Sequence, residues 1–175
     1  MVLSTHQTKT ATLILSLALL VMSFFDAPLV LEPHCSVTAR MAYHFFHANF
    51  FHALCNIWCL LALAFYYDIE DWELLLAYII AATIPSWALS PLHSLLSPVK
   101  AVGFSGICFA LMGIVFHKVA RKRYYLSWII PIVAVGFFIP GMAAGVHLYC
   151  FTIGIIVSLV LYCIARHRLV RKERP

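Results

Sequence analysis

A few polar side chains stand inside or beside strongly apolar runs, where each needs a reason to be there. They are Ser105 in Gly103-Phe104-Ser105-Gly106, His147 in Gly145-Val146-His147, and His44, His47, His52 and Asn56 around the start of another run. A serine hydroxyl becomes a nucleophile when a base takes its proton, and an imidazole with a near-neutral pKa can accept that proton and later return it to a leaving group. Glycine on either side of Ser105 lets the backbone turn tightly and lets a carbonyl approach the main chain. The first turn of a helix also offers free N–H groups to a developing oxyanion. Taken singly, each residue has an ordinary structural reading: Gly and Ser pack membrane helices, and a helix-end histidine can bond a carbonyl. Only their combination points to a Ser105–His147 dyad.

His52 and Asn56 are four residues apart and share one helix face, about 40° apart around the axis. An imidazole N–H and a carboxamide NH₂ on one face suit an oxyanion, and both are expensive in lipid without a role or a partner. His47 lies about 140° from His52 in a continuous helix, which places it in the preceding loop or a fraying first turn with a different task. A metal site built from His44, His47 and His52 is the competing idea. No Asp, Glu or Cys accompanies them at ligand spacing, so neither a metal nor a cofactor is expected. The six cysteines form neither a zinc-type spacing nor a secreted disulfide framework.

These residues must be positioned by membrane helices. The chain has 175 residues, 63% apolar and only 11% charged, with a mean hydropathy of +0.94. That is too little charge to clothe a soluble globule, which excludes a soluble enzyme. Apolar runs broken by short polar stretches fit a helical bundle rather than an outer-membrane barrel. The runs fall at about 11–31, 46–67, 74–90, 104–118, 124–140 and 146–165, predicting an all-α fold of six transmembrane helices in a single domain over 1–175. Pro85 and Pro131 lie inside the third and fifth runs and predict kinks rather than breaks. The first run resembles a signal peptide in having Lys9 before its apolar stretch. Asp26-Ala27-Pro28 after it offers no small-x-small cleavage pattern, so it reads as a membrane anchor.

With the N-terminus cytoplasmic, ten of the twelve Lys and Arg residues fall on the inner side, and only Arg40 and Lys100 fall outside. The basic clusters Lys118–Arg123 and Arg166–Arg174 read as topology determinants and lipid-headgroup contacts rather than a nucleic-acid surface. Runs two, four and six then all begin on the outer side, with His52, Ser105 and His147 at neighbouring depths. From Ser105 to Lys118 the fourth helix covers only about 20 Å. The hydrocarbon core is about 30 Å thick, so Ser105 sits below the outer surface. Small residues recur on the fourth run at Gly106, Ala110 and Gly113, and on the sixth at Cys150, Gly154 and Ser158 below His147. Such stripes let two helices close together and would bring Ser105 and His147 within reach.

The pattern His47-x4-His52-x3-Asn56, then Gly103-Phe104-Ser105-Gly106 with Ala110-Leu111-Met112-Gly113, then Gly145-Val146-His147 with Gly154, resembles the rhomboid family of intramembrane serine proteases over about residues 40–160. The resemblance implies Ser105 as nucleophile, His147 as general base, and an oxyanion hole of His52, Asn56 and the Ser105 N–H, in a catalytic core of about 40–165. It implies a water-filled cavity open to the outer side, organised by His47 with Gly103, Gly106, Phe109, Gly113 and Gly154 as support. It also implies that Glu70 matches a structural glutamate near the start of the third helix. Phe109 stands where many members have a tyrosine beside the catalytic histidine, and Cys150 stands where glycine is common, which would widen the contact between helices four and six. The first loop, about 32–45, is short, with Arg40 only approximately where a Trp-Arg pair is often found.

The implied activity is a serine endopeptidase that cleaves transmembrane or juxtamembrane segments of single-span or other membrane proteins. The small size resembles prokaryotic members, implying an inner (plasma) membrane location with both termini cytoplasmic. The alternative is a catalytically silent rhomboid-like protein that binds membrane clients; the presence of both Ser105 and His147 argues against it, since binding needs neither. A histidine-based transporter would require an intramembrane carboxylate, and only Asp26, near the end of the first run, is a candidate.

Overall fold

A computed structural model describes residues 2–89, 100–139 and 141–172. Seven α-helices are found among the described residues: α1 Val2–Met22, α2 Val37–Ala42, α3 Phe50–Tyr67, α4 Asp71–Ala82, α5 Ser105–Ile114, α6 Lys122–Gly136 and α7 Ala144–Lys172. Three 3₁₀ segments accompany them, Tyr43–Phe45, Ser86–Leu89 and Val115–Lys118, the last continuing α5. A single antiparallel bridge joins Leu31 to Ala101. Each of the six apolar runs overlaps one of these helices, α1, α3, α4, α5, α6 and α7 in turn. Phe50–Tyr67 and Ala144–Ile164 are long and apolar enough to cross a membrane, and Lys9–Met22 and Ser105–Lys118 are shorter apolar helical stretches.

The helix starts follow local chemistry. Asn49, in extended backbone, caps α3 by accepting from the His52 N–H at 2.9 Å, so the helix begins after His47 and leaves that residue in the loop. Ser36 caps α2 in the same way through the Ala39 N–H. α4 opens with a reciprocal capping box between Glu70 and Glu73. Pro131 is accommodated inside α6. Pro85 is not inside a helix: α4 ends at Ala82, and the third run continues as an irregular turn and then the 3₁₀ segment. Proline has no N–H for the helical ladder and disfavours helical backbone at the residue before it, Ile84, so the expected kink is a break. Residue 90, the end of that predicted run, and residue 140, the end of the fifth, lie outside the described residues.

α5 is the buried axis of the bundle, with eight of its ten residues buried. It packs most extensively on α7 and next on α4, while α1 lies against α3. The α5–α7 contact is backbone on backbone. A Cβ on Gly113 would meet the Phe151 carbonyl oxygen and come within 2.7 Å of the Gly154 Cα, and one on Gly154 would meet the Ala110 carbonyl oxygen and come within 2.9 Å of the Gly113 Cα. Cys150 is fully buried in this seam. One turn below, the His117 N–H donates to the buried Ser158 Oγ at 2.8 Å, tying the end of α5 to α7.

At the opposite end of α5 from Ser105, Lys118 Nζ lies 2.6 Å from Glu73 Oε2 and donates to the Asp68 carbonyl at 3.2 Å. Glu73 is wholly buried. Lys9 on α1 pairs with the Asp68 carboxylate at 2.6 Å, and its ammonium holds that exposed carboxyl below the usual carboxylate range. Charges from α1, the end of α3, α4 and the end of α5 therefore meet in one clasp.

Candidate active site

Ser105 is the first residue of α5 and His147 lies in the first turn of α7. The Gly113–Gly154 contact draws these two helices together, and Ser105 Oγ lies 2.9 Å from His147 Nε2. Phe109, one turn into α5, stacks on the imidazole with ring centroids 4.4 Å apart and planes 20° apart. An aromatic face at that spacing fixes the ring plane, so the phenyl group serves the packing role without a hydroxyl. His147 is buried and Ser105 is partly exposed.

The strand-like approach to Ser105 is held from both sides. Leu31 and Ala101 exchange two backbone hydrogen bonds at 2.8 and 3.0 Å, and the Gly103 N–H donates to the Tyr43 carbonyl at 3.1 Å. The Phe104 N–H donates to His47 Nε2 at 3.3 Å, which leaves the ring proton of a neutral His47 on Nδ1. His47 therefore acts on the main chain beside the serine. Gly103 has φ +111°, a left-handed conformation, and a Cβ there would lie 2.6 Å from His52 Cε1 and 3.2 Å from Asn56 Nδ2. Both α3 side chains thus lie directly over the Gly103 Cα, beside the serine turn. The Asn56 Nδ2 is buried without a hydrogen-bond partner among the described residues, while its backbone carbonyl accepts from Cys108 Sγ at 3.5 Å. A buried NH₂ without a protein partner costs free energy.

A cavity of about 360 Å³ opens beside the pair, lined by residues that include Ala48, His52, Val102, Ser105, Met142 and His147. Lys100 stands at its edge, 3.9 Å from Glu32. The arrangement supplies a hydroxyl, a base in contact with it, and side-chain donors poised over an adjacent glycine, which are the parts of an acyl-transfer site.

Ser105, His147, His47, His52, Asn56, Gly103 and Phe109 lie together around this cluster, whereas Gly113 and Gly154 lie further along the α5–α7 seam. Gly103, Gly113 and Gly154 leave no room for a side chain. Gly106 does: a Cβ there would make ordinary contacts of 3.5 Å with Ala81, Tyr43 and Val146. His44 is apart from His47 and His52. Its ring packs against Tyr43 with centroids 3.8 Å apart and planes tilted by 39°, and meets Tyr78 edge-on, whereas the ring centroids of His47 and His52 lie 5.2 Å apart. Glu70 is exposed and caps α4, and the buried, ion-paired glutamate is Glu73. Sequence reasoning also passed over Tyr43, whose carbonyl holds Gly103 and whose buried hydroxyl donates to the Ala81 carbonyl at 3.1 Å.

Residues 34–164 match the rhomboid domain, three-quarters of the chain, and the protein belongs to the rhomboid family of membrane proteins. No curated protein matches it in sequence.

Proposed function

We propose that this rhomboid is an active intramembrane serine endopeptidase, and the observation that carries the reading is the 2.9 Å contact between Ser105 Oγ and His147 Nε2. Ser105 Oγ attacks the carbonyl carbon of a peptide bond in or near a substrate's transmembrane segment, and its proton passes to His147 Nε2. The oxyanion that forms is met by the Ser105 N–H, the His52 imidazole and the Asn56 NH₂. His147 then protonates the leaving amine, and water admitted through the cavity hydrolyses the acyl-enzyme with His147 again taking a proton. The pair uses no carboxylate and no cofactor. Membrane-protein substrates enter from the bilayer, whose apolar phase is also where their scissile segments reside.

The rhomboid fold would be completed by six spans in one domain over 1–175, with both termini cytoplasmic, the site open to the outer side, and a bacterial plasma membrane as its setting. In support, α1, α3, α4, α5, α6 and α7 each overlap one apolar run, and Lys9 and the Lys118–Arg123 cluster lie at the end of the bundle away from Ser105.

The deciding experiment is labelling of detergent-purified protein with a fluorescent fluorophosphonate, comparing wild type with Ser105→Ala and His147→Ala. Signal in the wild type alone is the expected result. Absence of signal from monodisperse wild-type protein, with a related protease labelling in the same detergent, would move the reading to a silent, client-binding rhomboid.

A further inference from the structure

A second cavity lies at the far end of the bundle from Ser105, between the end of α3 and the start of α6. It measures about 640 Å³ and is walled by Tyr66, Tyr67, Arg121, Tyr124, Tyr125 and Trp128, with Lys118 at its base. Nothing in the acyl-transfer chemistry uses it. Its composition is that of a membrane–water boundary, where aromatic rings lie at headgroup level and basic side chains meet anionic lipid.

Three features specify the occupant. First, the charge is unbalanced. Lys118 is neutralised by Glu73, but the Arg121 and Arg123 guanidinium groups have no carboxylate partner among the described residues. Second, α6 begins without a side-chain cap and without an acidic residue in its first turn. Its opening residues Arg121, Lys122 and Arg123 instead place cations at the positive end of the helix dipole, an unfavourable arrangement that an anion there offsets. Lys122 turns away, donating to the Val119 carbonyl and lying over the Phe116 ring, which leaves Arg121 in the cavity lining for the anion. Third, the hydroxyls of Tyr66, Tyr67 and Tyr124 have no partner among the described residues, whereas that of Tyr125 is committed to the Met112 carbonyl at 2.8 Å. Guanidinium groups, free N–H groups and phenols around an amphipathic hollow match a phosphodiester whose acyl chains continue along the bundle.

We propose that this cavity is a binding site for the headgroup phosphate of an anionic phospholipid, held by Arg121 and the aromatic walls that line it, with Arg123 adding charge at the same helix end from outside the lining. The site depends on membrane insertion and not on catalysis, so it stands or falls separately from the protease reading.

The test is native mass spectrometry of delipidated, full-length protein titrated in detergent with dioleoyl-phosphatidylglycerol or dioleoyl-phosphatidylcholine. Wild type is expected to take one phosphatidylglycerol with about tenfold or greater preference over phosphatidylcholine, as two cations at a lipid surface would confer. Arg121→Gln/Arg123→Gln should lose that preference, and both positions are exposed, so folding is not at stake. The Arg166→Gln/Arg171→Gln variant, which removes equal charge from the C-terminal helix, should keep it. Equal retention of the two lipids by wild type would overturn the proposal without reference to any variant. So would an equal loss in both double variants, which would mean diffuse attraction, or displacement of phosphatidylglycerol by millimolar inorganic phosphate, which would assign the site to free phosphate.

Discussion

Asn56 and Gly103 show how much depends on single atoms beside Ser105. The Asn56 NH₂ is one donor among several, so Asn56→Ala should leave a folded enzyme whose kcat falls about 10²-fold, read by cleavage of a model transmembrane substrate. A fall as complete as that of Ser105→Ala would mean that Asn56 holds the site together rather than stabilising the oxyanion. Gly103→Ala should do more damage than its one methyl suggests, because that methyl would lie 2.6 Å from the His52 ring on a backbone at φ +111°. The expectation is lost fluorophosphonate labelling with a smaller change in melting temperature; unchanged labelling would show that His52 can move without consequence. The contact between Ser105 and His147 and the shared face of His52 and Asn56 were legible from the chain because helical period and residue type bring them together. Tyr43 was not, since a tyrosine in an aromatic stretch carries no mark of a carbonyl committed to Gly103, far downstream, a pairing set by how loops pack.

At the scale of elements, α5 is short, and its end away from Ser105 is fixed where Lys118 meets Glu73 and Asp68. Glu73 does the fixing, and it is buried, so removing its charge leaves Lys118 without compensation. Lys118 keeps some exposure, so the Glu73→Gln change should cost roughly 3 kcal/mol, the low end for breaking a buried pair. Thermal melting in detergent would register the loss, and Glu73→Gln combined with Lys118→Met should recover much of it. A single variant as stable as wild type would make the pair ornamental. From the sequence Glu70 was the glutamate expected to matter. Glu70 and Glu73 are three residues apart and together form the capping box, so their local signals are alike; only the arrival of Lys118 from 45 residues away distinguishes them. Pro85 is a related case: a hydropathy window runs straight across it, while the helix ends at Ala82.

For the whole molecule, the order of the helices along the chain followed from the apolar runs, because a bilayer imposes such runs. The two longest apolar helical stretches set its fit to that bilayer. α3, at 18 residues, is about 27 Å long, which suits a thin membrane. Turnover in vesicles should therefore decline on passing from dimyristoleoyl- to dierucoyl-phosphatidylcholine, as mismatch strains the bundle; a flat profile would show that thickness is not felt at the dyad. The seam between Gly113 and Gly154 has a consequence of another kind. Main chain touches main chain at Gly113 and Gly154, so at that point of the joint there is no room for selection to add a side chain. The cavity edge, where Lys100, Ile139 and Met142 stand, is made of side chains alone. Over generations substrate preference can drift at that edge while the distance between nucleophile and base is inherited unchanged.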